Sequence, residues 1–149
     1  MSKAVLISIH PKWCEKIANR EKIIEVRKTR PMKIRTPFPC LIYCTIDNEN
    51  MYYDFKRKCA LNGKVIGEFV CDKIIKVNCD SVDLFDDETK QYIGKECCLN
   101  VAEYHKYTLF KSFGWHISNL KIYDEPKELS EFGLKRPPQS WCYVEAEND

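Results

Sequence analysis

The sequence predicts an α+β fold: a small, mostly antiparallel β-barrel of about five or six strands with helices at its side. Three observations predict it. Short β-branched runs recur along the chain without regular helices between them, which argues against a parallel doubly wound sheet. Helical patterning is confined to one stretch that starts at Pro11 and to a second region late in the chain. The five glycines form neither G-x-x-x-x-G-K nor G-x-G-x-x-G, which argues against a P-loop NTPase and a Rossmann enzyme.

Ala4-Val5-Leu6-Ile7-Ser8-Ile9 is a short apolar run and reads as the first strand. Pro11 opens a helix, where its missing N–H costs nothing. Trp13, Cys14, Ile17 and Ala18 share one face of that helix, and Glu15, Lys16 and Asn19 the other. Lys22 to Lys28 reads as a second strand, with Ile24 and Val26 on one face and Glu25 and Arg27 on the opposite one. Pro31, Pro37 and Pro39 punctuate a loop, and Cys40 to Ile46 forms a third strand. Asp47 to Asn62 is polar and reads as irregular. Lys64 to Val77 reads as one long or two short strands, with Gly67 as a candidate bulge. Asp83 to Ile93 and Val101 to Phe110 read as helices, the second capped by Asn100. Trp115 to Tyr123 alternates as a strand. Pro126, Gly133, Pro137 and Pro138 mark a loop before a last strand, Trp141 to Val144, and an acidic tail.

The chain has 149 residues, 44% hydrophobic and 31% charged, the balance of one soluble globular domain spanning residues 1–149. Lys and Arg number 24 and Asp and Glu 22, for a formal charge of +2. That excludes a purely electrostatic nucleic-acid binder and allows a local basic patch. Nine cysteines are an odd number, and none falls in a C-x-x-C or zinc-ribbon spacing. They read as small buried hydrophobes in a reducing compartment rather than metal ligands. No apolar run approaches the ~20 residues needed to span a bilayer, and the N-terminal run is too short for a secretory signal. A cytoplasmic location, no membrane and no cofactor are therefore expected.

Arg20-Glu21-Lys22-Ile23-Ile24-Glu25-Val26-Arg27-Lys28-Thr29-Arg30 carries the chemistry. Glu25 and Arg27 are two apart on a strand and share a face, and Lys22 at the helix–strand turn reaches over the same region. A carboxylate between two cations suits two tasks. It can accept a hydrogen bond from a base amino group while cations hold a phosphate, or it can act as a general base. The bland alternative is a solvated ion-pair ladder on a sheet.

Leu6-Ile7-Ser8-Ile9, Glu15-Lys16-Ile17 and Glu21-Lys22 followed by Glu25-Val26-Arg27-Lys28 resemble the start of the ASCH (activating signal cointegrator homology) domain, a PUA-like β-pseudobarrel with the signature G-x-K-x-x-E-x-R. Lys22, Glu25 and Arg27 match its K, E and R. Arg20 stands in place of its glycine, which implies a different turn conformation there. The stretches Trp115 to Tyr123, Leu129 to Phe132 and Arg136 to Val144 resemble the phage and prophage branch of the family. The resemblance implies a cleft that binds RNA or a modified nucleotide. Some small ASCH proteins are N4-acetylcytidine amidohydrolases with a Lys, a Thr and a Glu as their catalytic set. The Lys falls on Lys22, the Thr on Glu25 and the Glu near Glu96. The nucleophilic Thr is thus absent, so weak or no hydrolysis of N4-acetylcytidine is expected; any hydrolysis would proceed by a water activated by Glu25, with Lys22 at the developing oxyanion. Other members are linked to RNA cleavage, where Lys22 would stabilise phosphorane charge.

Arg27, Lys28, Arg30, Lys33 and Arg35 place five cations within nine residues with no acid between them, a candidate phosphate-tracking patch or a solubilising loop. Lys56-Arg57-Lys58 reads as solvated surface. Trp13 reads as core; Trp115 and Trp141 open strands and are candidates either for a barrel mouth or for core packing. Gln139 and Ser140 follow the Pro137-Pro138 kink, which can present them to a base edge. His10 reads as a cap or surface residue, His105 as solvated, and His116 as the histidine nearest the cleft. The expectation is therefore RNA or nucleotide binding, with recognition by Lys22, Glu25 and Arg27, phosphate contact by Lys28 and Arg30, and base contact by Gln139, Ser140 or Trp141. Lys22 and Glu25 double as the catalytic candidates. The alternatives are a hydrolase on a modified nucleoside, a ribonuclease, or a protein-interaction module with a vestigial cleft.

Overall fold

The computed structural model describes residues 2–77, 97 and 112–146. The helices expected over residues 83–93 and 101–110, together with Glu96 and His105, lie outside the described residues. Strand β1 (Ser2–Ile9) leads into helix α1 (Pro11–Ala18), followed by β2 (Ile24–Arg27) and β3 (Phe38–Cys44). A short hairpin, β4 (Tyr53–Asp54) and β5 (Cys59–Ala60), precedes the long strands β6 (Lys64–Val77) and β7 (Ser112–Lys127). A 3₁₀ turn (Leu129–Phe132) and β8 (Trp141–Ala146) complete the described chain.

Six strands form one sheet in the order β2-β7-β6-β3-β1-β8. Every pairing is antiparallel except β1 with β3, which run parallel from Val5↔Cys40 to Ile9↔Cys44. From Ala4 to Ile9 β1 is apolar apart from Ser8, because both of its faces are covered there. Val5, Ile7 and Ile9 enter a core shared with α1, Ile42, Phe69 and Trp115. Ala4 and Leu6 enter a second cluster with Leu41, Tyr43, Val65 and Val144. β3 is shared the same way, Cys40, Ile42 and Cys44 facing one cluster and Leu41 and Tyr43 the other.

Several boundaries depart from the sequence reading. β2 is four residues rather than seven, because Lys22 belongs to the turn after α1. The stretch read as irregular, 47–62, contains the β4–β5 hairpin, paired Tyr53↔Ala60 and Asp54↔Cys59. β7 extends beyond both ends of the expected strand, and Trp115 lies inside it, fully buried, rather than opening it. β6 is one strand. Its register against β3 shifts between Val65 and Gly67, which face the adjacent Tyr43 and Ile42, so the bulge falls on Ile66. At Gly67 an added Cβ would lie 2.6 Å from the carbonyl oxygen of Lys121, a close backbone approach that requires glycine.

Arg20 also departs from expectation. Its φ is +65°, the left-handed conformation that glycine adopts freely, so the missing glycine does not change the turn. The Arg20 N–H donates to the Ile17 carbonyl at 3.0 Å and the Glu21 N–H to the Lys16 carbonyl at 3.0 Å. This is a Schellman ending of α1, and it delivers Lys22 to the head of β2.

Candidate ligand cleft

The sheet curls so that its edges, β2 and β8, approach each other, and between them opens a cleft of about 440 Å³. That volume is within the range of small-molecule sites. The alternation of β2 sends Ile24 and Val26 into the core, while Glu25 and Arg27 line the cleft with Lys22. Lys22 is 2% exposed and Glu25 6% exposed. Burial of three charged groups is tolerable only if they neutralise and hydrogen-bond one another. Glu25 Oε1 lies 3.3 Å from Arg27 Nε, and Glu25 Oε2 lies 3.6 Å from Lys22 Nζ. Lys22 Nζ donates to the Cys97 carbonyl and sits 4.9 Å from the centre of the Trp13 ring.

Arg27 joins the two edges of the sheet. Beyond its bond to Glu25, one terminal nitrogen donates to the Ser140 carbonyl at 3.3 Å and to Ser140 Oγ at 3.2 Å. The other donates to the Ser8 carbonyl at 2.6 Å. The Ser8 N–H donates to the Ser140 carbonyl at 2.9 Å, and Ser8 Oγ donates to the Pro138 carbonyl at 2.7 Å. The guanidinium is thus held to protein through all three nitrogens. Glu25 is hydrogen-bonded through one oxygen only: Oε2 is ion-paired with Lys22 but accepts no hydrogen bond among the described residues.

No family model and no curated protein sequence matches the chain. Among solved structures it is similar to the crystal structure of ASCH from Zymomonas mobilis, with a TM-score of 0.69 at 19% identity over 95% of this chain and 87% of that one. A variant of that protein with a tyrosine replaced by phenylalanine matches with a TM-score of 0.70 at 18% identity, over 97% and 91% of the two chains. A variant with a serine replaced by alanine gives 0.69 at 18% identity, over 95% and 88%. The fold is that of an ASCH domain. The expected α+β pseudobarrel of the PUA-like type is therefore the observed architecture.

In this ASCH fold the cleft gathers Lys22, Glu25, Arg27, Lys28, Gln139 and Ser140. Two of the candidates are placed differently. The Trp141 ring packs 5.9 Å from Trp115, and its Nε1 donates to Thr29 Oγ1 at 2.9 Å. Arg30 lies with its guanidinium carbon 6.0 Å from the Phe113 ring centre. His116 is paired with Asp72 at 2.7 Å, away from the cleft lining. Burial would raise the Asp72 carboxyl, but the hydrogen bond and charge of His116 outweigh it and hold the group below its ordinary range.

Ser8, His10, Trp13, Thr29 and Thr45 also line the cleft. The sequence reading assigned none of them to it. His10 is the N-cap residue of α1 by backbone, yet its side chain makes no capping bond. The ring instead lies with Nδ1 3.5 Å from Thr45 Oγ1. The one available signal for Ser8 was a hydroxyl inside an otherwise apolar strand. Among the described residues no group of three or more His, Cys, Asp or Glu is arranged to hold a metal ion.

Proposed function

We propose that the cleft binds a nucleotide of RNA, or a modified nucleoside, with the base directed inward at Glu25. The observation that carries this reading is Glu25 Oε2 on the wall of the cleft, a buried acceptor that is ion-paired with Lys22 at 3.6 Å but accepts no hydrogen bond among the described residues. A buried acceptor left without a hydrogen bond costs about 1–3 kcal/mol, so a ligand that brings a donor is favoured there. An exocyclic amino group of a base is such a donor. Gln139 and Ser140 stand on the facing wall to read the rest of the base edge. Lys28 and Thr29 are exposed at the opening, where a phosphate keeps its contact with water. The committed guanidinium of Arg27 makes it a positioning residue in this reading. The C-terminal resemblance supports placing the chain in the phage and prophage branch of ASCH proteins, acting in a reducing cytoplasm.

One observation favours hydrolysis as a second reading: Thr45 Oγ1 beside His10 Nδ1 is a hydroxyl next to a potential base within the cleft. The other route is a water activated by Glu25.

Thermal melts with a panel of nucleosides, nucleotides and short RNAs test the binding reading. A ligand at 100 times its Kd adds about 2.7 kcal/mol of stability, a rise of roughly 5–10 °C for a domain of this size. The rise is expected for bases bearing an amino group and is expected to shrink in Glu25→Gln. No rise with any member of the panel would sink the proposal. A parallel time course with N4-acetylcytidine and short RNA is expected to show no turnover. Robust turnover abolished by Glu25→Gln or Thr45→Ala would replace binding by hydrolysis, the sensitive residue naming the route.

A further inference from the structure

The loop that follows β2 does not end at the cleft. It runs on beside β8, pinned there by two alternate residues of that strand whose rings pack at the rim of the main core. Trp141 holds Thr29 through its indole N–H. Tyr143 Oη accepts the backbone N–H groups of Met32 at 3.1 Å and Lys33 at 2.9 Å. The two rings meet edge to face with centres 5.3 Å apart, so they form a continuous aromatic strip starting beside Ser140. Residues two apart on a strand share a face, which is why both anchors meet the same loop.

The pinning has an electrostatic result. Lys33 Nζ is brought to 5.9 Å from the centre of the Tyr143 ring, and Lys3 Nζ, from β1, lies 5.4 Å from the same centre. Each is within cation–π range. The two ammonium groups come from distant parts of the chain, are exposed, and form no ion pair among the described residues. Two ammonium groups at one ring attract a phosphate brought to that ring. Lys28 continues the same polarity at the cleft opening. On the side of Lys3 the sign reverses: Glu145, its cross-strand partner, and Glu131 line the same groove as Lys3 and Tyr143.

We infer that this strip is a track for the phosphodiester backbone of single-stranded RNA, leading from the cleft opening past Trp141 to the lysine pair at Tyr143. The inference rests on the proposed reading of the cleft: one nucleotide occupies it, and its neighbours lie along the strip. Continuity with the cleft favours a polynucleotide over an acidic peptide, and the carboxylates beside Lys3 end the track after a few nucleotides.

The test compares wild type with the Lys3→Ala/Lys33→Ala variant. The probes are the four ribonucleoside monophosphates and a fluorescein-labelled, mixed-sequence hexaribonucleotide, titrated from about 50 to 200 mM salt. Wild type is expected to bind the hexamer at least tenfold tighter than any monophosphate. The variant is expected to lose most of that gain while its monophosphate affinity stays unchanged. Each phosphate contact on a single strand contributes about 0.7 to the slope of log K against log salt, so the slope is expected to fall by about 1.4. Hexamer affinity and slope equal to wild type, or no hexamer binding by wild type, would overturn the track. Displacement of the hexamer by oligoglutamate at matched charge would overturn it in favour of an acidic peptide. Lysine-dependent hexamer binding without monophosphate binding would leave the track standing and remove the cleft reading.

Discussion

Arg27 illustrates how one side chain serves structure and site together. Its guanidinium binds Glu25 on its own strand, Ser140 just before β8 and Ser8 on β1. Among the described residues no backbone ladder pairs β2 with β8, so the two sheet edges are joined through side chains, by this fork and by the Trp141–Thr29 bond. Removing one partner of a buried charge network is far more costly than never having built it, because the remaining charge stays desolvated. Arg27→Ala is expected to lower stability by about 3 kcal/mol. Urea unfolding should show this as a lower midpoint with an unchanged m-value. Arg27→Lys keeps the charge and loses the planar fork, so it is expected to recover only part of the loss. Equal midpoints for wild type and Arg27→Ala would mean that the edges are held by other contacts.

Two positions decide how elements begin and bend, and they call for opposite substitutions. Arg20 closes α1 in a left-handed conformation, which costs an L-residue roughly 1–2 kcal/mol, partly offset by glycine's greater loss of chain entropy. Arg20→Gly is therefore expected to stabilise by about 0.5–1 kcal/mol, a rise of roughly 2–4 °C in Tm. Gly67 is the reverse case. Its missing side chain lets β7 approach β6, and a Cβ there would meet the Lys121 carbonyl oxygen. Gly67→Ala is expected to destabilise by about 2 kcal/mol, because a backbone atom rather than a flexible side chain must yield. Calorimetry on the pair checks both signs; a lowered Tm in Arg20→Gly would show that the arginine side chain compensates for its backbone.

At the scale of the whole molecule, buried thiols set an alkaline limit. Burial, aided by the Asp72 charge, pushes the Cys71 thiol from an ordinary 9.0 up to about 11. Burial also drives Cys14 and Cys40 well above that ordinary value. The unfolded chain releases these protons near pH 9 while the folded chain keeps them. The unfolded state then binds fewer protons, and stability falls as pH rises. For Cys71 the loss accrues between about pH 9 and 11. Cys71→Ala is expected to make the decline between pH 9 and 11 shallower, read from urea midpoints under reducing conditions. A decline as steep as that of wild type would assign the alkaline loss to other groups.

The features legible in the chain were those set by near neighbours. The apolar run of β1, the helix start at Pro11, the period-2 alternation of Ile24, Glu25, Val26 and Arg27, and the burial of Cys14, Cys40, Cys44 and Cys71 follow from local patterning and side-chain chemistry. The same alternation put Glu25 and Arg27 on one wall, while Lys22 reaches that wall from the turn after α1. What local periodicity does not encode is where a strand edge ends up once the sheet has curled. Arg27 meets Ser140 across 113 positions of sequence, and Trp141 turns to Thr29 across 112. Those contacts, and the entry of the His10 ring into the cleft, depend on the bulge at Ile66, the parallel β1–β3 pairing and the approach of β2 to β8. Tertiary structure alone decided them, because register and curvature are properties of strands acting together, and each alternation pattern is compatible with many ways of closing the sheet.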